Sequence, residues 1–317
     1  MPNLNGTGPN LNGWLGFELS VLRRLTFRSV ALPFTGEPSL GLYLKHWHVR
    51  VAANDRAQWA WTKSTALIEN NSEALSEDDI ETILDDAYVP RAALRNPSLL
   101  SWFNETDAWW FDNVRENAEL LGTPIKRSCA LLLGMMVGDY VLSFDAGTLA
   151  LRQPLSLSLI FRRLQRSLPA PVDNSQRNRS TNQEPKDFLA ERHHTDLLFL
   201  RLPTAGHRHA KAHSSRLQWR EEWLRCGSGF WRELDRNSAG KLGGRVETRQ
   251  QYLDLLEDLL HTAAHIRLWA IENVPDGFIS NDELAEAITR VRKVEAIYSK
   301  DFSELTGARA SIITAVS

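Results

Sequence analysis

The sequence predicts an α/β fold of Rossmann-like type that carries a helical block. Three observations predict it. Residues 29–55 (SVALPFTGEPSLGLYLKHWHVRVAAND) read as strand, turn, helix and strand, with an acid about 20 positions beyond the turn, the layout of a nucleotide-binding βαβ unit. Short apolar runs at 196–200 and 266–271 have the continuous hydrophobicity of strands buried on both faces. Between the βαβ unit and these runs, the stretch from about 75 to 168 reads as a block of helices.

In the βαβ unit the first strand is 29–32, the turn 33–39, the helix 40–47 and the second strand 49–53, ending in Asn54-Asp55. Such a turn holds the polar end of a cofactor, and the acid takes ribose hydroxyls. Here the turn places Glu37-Pro38 where bare backbone is needed. Pro38 has no N–H to donate and a fixed φ, and Glu37 adds negative charge.

Residues 1–13 are an Asn/Gly/Pro loop, and 14–25 a helix with Leu15, Leu19, Leu22 and Leu25 on one face. A helix at 57–69 carries Trp59 and Trp61. The next, 76–87, opens with Ser76 as N-cap and acids in its first turn. Glu77, Asp78, Asp79, Glu81, Asp85 and Asp86 read as its solvated face rather than a metal site. Helices follow at 105–121, at 124–142 (apolar enough to be buried) and at 153–166, which ends in Arg162, Arg163 and Arg166. Residues 169–184 lack periodicity and read as a flexible loop. After the 196–200 strand comes a basic stretch, 201–220, with Arg201, Arg208, Lys211, Arg216 and Arg220, three histidines (His207, His209, His213) and no acid. Helices at 217–234 and 247–264, a strand at 266–271, a helix at 281–291 and strands at 294–299 and 308–315 complete the chain. The expected division is 1–74 with 169–317 as the sheet domain, and 75–168 as the helical insertion.

Composition excludes several classes. A net charge of -2 over 317 residues argues against a surface that attracts nucleic acid everywhere, while leaving local patches. Cys129 and Cys226 match no metal or redox spacing and suit a reducing compartment. The polar, uncharged start has no leader pattern, and the longest apolar run, 130–138, is about half the ~20 residues a span needs. A cytoplasmic protein that engages no membrane is expected.

Small constellations carry little. Asp276-Gly277-Phe278-Ile279 with Glu283 resembles half of a calcium loop, but Val274 and Pro275 stand where ligands belong; a turn capping the 281–291 helix fits better. His207, His209 and His213 have zinc-like spacing inside a stretch that would repel a cation. His261 and His265 read as a partly buried helix stripe. No metal is expected.

The cofactor loop, FTGEPSLGLYLK, and the strand ending VAAND resemble those of Dam-like, α-class DNA adenine-N6 methyltransferases, where the first reads F-x-G-x-G and the second ends in Asn-Asp. The likeness extends in order along the chain. Trp14 to Glu18 corresponds to an aromatic-x-Gly-x-Lys motif. Trp102-Phe103, Asp107-Ala108 and Asp112-Asn113-Val114-Arg115 resemble the helical target-recognition block. Residues 182–189 and 196–204 resemble the approach to the catalytic Asp-Pro-Pro-Tyr, and 268–284 the strand and helix beyond it. The resemblance implies a mixed sheet of about seven strands with a target-recognition-like insertion. It also implies S-adenosylmethionine as cofactor and DNA adenine as substrate.

The departures fall on the functional positions. The catalytic motif is replaced by Arg201-Leu202-Pro203-Thr204, which puts a cation where a carboxylate should stabilise the developing positive charge and removes the ring that stacks the flipped base. At the cofactor positions Glu18 replaces lysine and Pro38 the second glycine; Phe34, Gly36 and Asp55 keep their expected identities. The expected function is a catalytically degenerate homologue that needs no cofactor and serves as a DNA-binding or partner subunit. The alternative is an active S-adenosylmethionine-dependent enzyme with divergent motifs. Arg152, Arg162, Arg163, Arg166, Arg177 and Arg179, with Arg208 and Lys211, are the candidate phosphate contacts, bordering one cleft. A partner would be an active methyltransferase or nuclease subunit, docking on a Trp219/Trp223 face.

Overall fold

The structure, a computed structural model, describes residues 14–145, 147–203, 210–273, 279–302 and 308–317, with no side-chain detail for 210–216 and 308. Its strands are β1 (Ser29–Leu32), β2 (Arg50–Asn54), β3 (Arg179–Thr181), β4 (Leu197–Arg201), β5 (Leu268–Asn273), β6 (Lys293–Phe302) and β7 (Ala308–Val316). They form one seven-stranded mixed sheet in the order β3-β2-β1-β4-β5-β7-β6. The first five strands run parallel, and β7 lies antiparallel between β5 and β6. β1 is buried at every residue, as its Ser-Val-Ala-Leu run requires in the middle of a covered sheet.

The helices in chain order are α1 (Trp14–Leu22), α2 (Ser39–His46), α3 (Gln58–Ser64), α4 (Glu77–Leu84), α5 (Glu105–Ala118) and α6 (Pro124–Leu142). They continue with α7 (Leu157–Ser167), α8 (Pro185–Ala190), α9 (Ala210–Leu224), α10 (Trp231–Ser238), α11 (Arg249–Thr262) and α12 (Asn281–Thr289). α1 and α2 cover one sheet face through Phe17, Val21, Leu40 and Leu44. α8, α11 and α12 cover the other through Phe188, Leu256, Leu260 and Leu284. α4 to α7 pack a separate core around Ile83, Trp110, Phe111 and Phe161. Local signals set the helix starts: Ser76 and Ser280 make capping boxes with Asp79 and Glu283, and Thr123 caps α6 ahead of Pro124.

Four expectations are corrected. Residues 169–184 are no loose loop: they contain β3, held by asparagine amides. Asn174 Nδ2 donates to the Val49 carbonyl at 2.8 Å, and Asn178 Oδ1 accepts from Val51 N at 2.9 Å. Polar side chains substitute for the sheet-edge bonds, so no apolar pattern announces the strand. The helix expected at 217–234 is two helices, because Cys226 (φ 56°) and Gly227 (φ 143°) turn the chain after Leu224.

Trp219 and Trp223 are fully buried rather than an interface. They fill the helical core opposite two glycines of α6. A Cβ at Gly138 would lie 2.2 Å from Trp219 Cη2, and one at Gly134 2.2 Å from Trp223 Cη2. His261 and His265 are both exposed, and α11 ends at Thr262, before the second of them. Among the described residues no group of three or more His, Cys, Asp or Glu could hold a metal, and no helix is long and apolar enough to cross a membrane. The expected loop at 1–13 and the calcium-like turn at 276–278 lie outside the described residues, as do His207 and His209; the side chain of His213 does too.

Candidate functional site

The parallel strands end at a crevice where the chain order reverses between β1 and β4, the place at which open α/β sheets take ligands. The loop after β1 (33–38) forms one wall, and Arg201 to Pro203, at the end of β4, the other. The β1 loop is tied to the end of β2. Thr35 N donates to the Asn54 carbonyl at 3.0 Å, and Gly36 N donates to Asp55 Oδ2 at 2.8 Å. Gly36 has φ 55°, a left-handed conformation that glycine adopts without cost. Asp55 Oδ1 accepts from Ala57 N at 2.9 Å, so the acid expected to bind ribose also braces its own turn. Burial pushes the Asp55 carboxyl up, and the Glu221 charge adds to this.

Arg201 points into the crevice. Its Nε meets Glu18 Oε1 at 2.7 Å and its Nη2 meets Glu18 Oε2 at 2.9 Å, a two-point fork. Nη1 donates to the Thr35 carbonyl at 3.0 Å, and Glu272 Oε2 stands 3.6 Å from Nε. Glu18 is 1% and Glu272 3% exposed, whereas the Arg201 side chain keeps 31%. Burial opposes the Arg201 charge, but the Glu18, Glu272 and Glu37 carboxylates outweigh it and hold the guanidinium protonated. Glu272 is the counterpart: burial, with the Glu18 charge adding to it, pushes its carboxyl well above the ordinary range. Trp14 Nε1 donates to Glu272 Oε1.

The second acid of the loop is also taken up. Lys63 Nζ lies 2.8 Å from both oxygens of Glu37, and Arg220 Nη1 lies 3.1 Å from Oε1. Against the cost of burial, these two cations hold the Glu37 carboxyl below its usual value. Arg220 is itself fully buried and bonds Asp139 Oδ2 at 2.5 Å, so it is no part of a solvated basic surface. Pro38 opens α2, its carbonyl accepting from Leu42 N at 3.0 Å. Leu202 N donates to the Glu272 carbonyl at 3.1 Å, and the Pro203 carbonyl accepts from Tyr252 Oη at 2.8 Å. Thr204 lies outside the described residues.

Beyond the ion pair the crevice stays open. A cavity of about 360 Å³ is lined by Phe34, Asp55, Trp59, Pro203, Trp231 and Leu234, among others. Its walls are mainly apolar, with Asp55 and Glu221 as its acids and Arg56 bonded away to Ser238 at 2.6 Å. Such a slot can hold a flat, largely uncharged group that donates a hydrogen bond to Asp55. Among the described residues it has no free cation for a carboxylate or phosphate.

The arginines expected to border this crevice do not gather there. Arg162 is ion-paired with Glu77 of α4, and Arg152 lies 3.7 Å from Asp107. Arg163 and Arg166 are exposed on α7. Arg177 and Arg179 line a cavity where β1 and β2 begin, at the opposite end of the strands from Arg201. Arg208 and the Lys211 side chain lie outside the described residues. Glu272, Lys63, Asp139 and Trp231 were missed from the sequence. Glu272 alone left a signal, a lone carboxylate inside the apolar strand LWAIEN. Compared with known proteins, the chain matches no family model and no curated protein.

Proposed function

We propose that the protein is a catalytically degenerate relative of DNA adenine-N6 methyltransferases that binds DNA without methylating it. The observation that carries this reading is the Arg201–Glu18 fork. Two positions whose charges are reversed relative to the resembled motifs meet each other and close the crevice at its charged end. The mixed seven-stranded sheet is of the kind the resemblance implied, which supports the same reading.

The residues present do not fit S-adenosylmethionine. Its carboxylate would face Glu18, whose only cation among the described residues is already engaged in the fork, and Glu37 stands in the same loop. Asp55 alone retains a suitable acceptor. At the catalytic position a guanidinium would raise the energy of a nitrogen gaining positive charge. Loss of one placed electrostatic stabiliser slows such reactions ~10²–10³-fold, and reversal of its sign costs at least that much.

The DNA-binding part rests on exposed arginines at Arg163, Arg166, Arg177 and Arg179. Duplex binding at low salt is expected, with affinity falling by a slope of about 0.9 per phosphate contact. No affinity at low salt overturns the DNA reading. Methyl incorporation from S-adenosylmethionine that is lost in Gly36→Asp overturns the degenerate reading and restores an active enzyme.

A second reading, a subunit docking on an active methyltransferase or nuclease, draws on one observation. Leu149 (57% exposed), Leu151 (74%) and Leu159 (39%) stand out from the helical block within a short stretch of chain. Purification from the native host as a lone monomer would count against it.

A further inference from the structure

A second cavity lies at the far end of the sheet from Arg201. It measures about 250 Å³ and opens where the strands begin, with Ser29 of β1, Arg50 of β2 and Thr195, ahead of β4, on its walls. Arg50 is the first residue of β2, Arg179 the first of β3, and Arg192 follows α8. With Arg177 they bring four guanidinium groups to one cavity, against the single carboxylate of Glu191. Like charges so gathered repel one another unless an anion sits among them. Burial, with the charges of Arg179 and Arg50 adding to it, pushes the Arg192 guanidinium down from its ordinary value.

The four are not equivalent. Two are fixed by neutral acceptors. Arg50 Nη2 donates to the His194 carbonyl. Arg192 Nε donates to the Phe188 carbonyl at 3.2 Å, and its guanidinium lies 4.6 Å from the centre of the Phe188 ring. Arg192 also meets the exposed Glu191 at 3.1 Å. Arg177 and Arg179 are exposed and have no hydrogen-bond or ion-pair partner among the described residues. Two donors are therefore set in the floor, and two more are unengaged at the rim.

We propose that this cavity binds a phosphate-bearing anion of about diphosphate size, seated on Arg50 and Arg192 and clasped by Arg177 and Arg179. The guanidinium fork matches phosphate oxygens two at a time, which a set of lysines would not do. The same chemistry serves a free diphosphate group or a phosphate of a nucleic-acid backbone. The site is separate from the crevice and does not rest on the methyltransferase reading.

Titration calorimetry with sodium pyrophosphate on the full chain at low ionic strength tests it. Saturable one-site binding is expected. The double variant Arg177→Ala/Arg179→Ala should weaken it about tenfold or more, the size expected for losing charge-assisted bonds. Both side chains are exposed and two of four repelling charges are removed, so the melting temperature of that variant should equal or exceed the parent's. Arg166→Ala, on α7, should leave binding unchanged. A short DNA duplex serves as the second probe: if it displaces pyrophosphate and the double variant weakens it too, the backbone phosphate is the source. If it does neither, the ligand is a free phosphate compound. Absence of saturable pyrophosphate binding overturns the proposal. So does equal weakening by Arg166→Ala, or binding unchanged in the double variant.

Discussion

Replacing Arg201 with alanine tests whether this side chain is a brace of the fold or a cation presented to a ligand. The substitution strips the counter-charge from Glu18 and Glu272, which are 1% and 3% exposed. Breaking a buried pair by removing one partner costs about 3–5 kcal/mol, because the remaining charge is left without water or partner. The Arg201 side chain is 31% exposed, so solvent already screens part of the interaction, and the expected loss is about 2–4 kcal/mol at pH 8. The loss should depend on pH. Glu272 already has a folded-state pKa above its unfolded value, and removing Arg201 takes away the cation that holds it down. A carboxyl shifted upward is favoured in the fold while protonated, and it subtracts stability as pH rises from ~4.3 through its folded value. The penalty should therefore shrink at pH 5. Urea unfolding followed by tryptophan fluorescence at pH 5 and pH 8 measures both. A loss under ~1 kcal/mol at pH 8, or one equal at the two pH values, would refute the brace, since a cation held only for a ligand leaves the free protein little changed when removed.

Three further outcomes are expected. Glu272→Gln can still accept from Trp14 while carrying no charge beside Glu18, so it should add about 1 kcal/mol at pH 8 and flatten the decline of stability between pH 5 and 8; a lower melting temperature at pH 8 would contradict it. Gly138→Val should lose about 1–3 kcal/mol by forcing Trp219 aside, whereas Gly16→Ala, with nothing within 4 Å of its new Cβ, should be neutral or stabilising; equal denaturation midpoints for the two variants would sink that packing account. Burial pushes the Lys45 ammonium down to about 8, with Asp173 opposing, so its charge costs the fold most below that pH. Lys45→Met should gain about 1–2 kcal/mol at pH 7, net of the bond lost to the Asn70 carbonyl, and less at pH 9.5; a gain that grows with pH would reverse the assignment.

What the sequence revealed depended on whether the determining interaction was local. α6 spans Pro124–Leu142 as its period indicates, and α4 starts on the Ser76 cap read from the sequence. β1 and β4 were readable because strands covered on both faces must be apolar at every position. β3 was not, since its three residues, Arg-Ser-Thr, are polar, pair with β2 along the backbone, and follow a lead-in held by Asn174 and Asn178. The site followed the same division. The reversed charges at Glu18 and Arg201 could be seen one by one, but their mutual fork joins positions 183 residues apart, and no local pattern encodes it. The burial of Trp219 and Trp223 did leave a trace: both they and Gly134/Gly138 are spaced i, i+4, so two large side chains face two missing ones.

Glu18 and Arg201, each opposite in charge to the residue of the motif it resembles, depend on one another. A glutamate at 1% exposure beside Glu272, facing an aspartate in place of Arg201, would put three acids in one corner. An arginine at that position facing a lysine in place of Glu18 would set two cations against each other. Either reversal alone carries a like-charge and desolvation penalty of several kcal/mol. Together they make a two-point bond, with Glu272 completing the cation's surroundings. Glu18 and Arg201 are therefore each tolerable only in the presence of the other. The Glu37 carboxylate is met in the same way, by Lys63 and Arg220. The cavity beside Asp55, by contrast, is open, its walls of Phe34, Trp59 and Trp231 being apolar and without a charge to neutralise. The crevice is thus closed by its own side chains at the charged end and open at the apolar end.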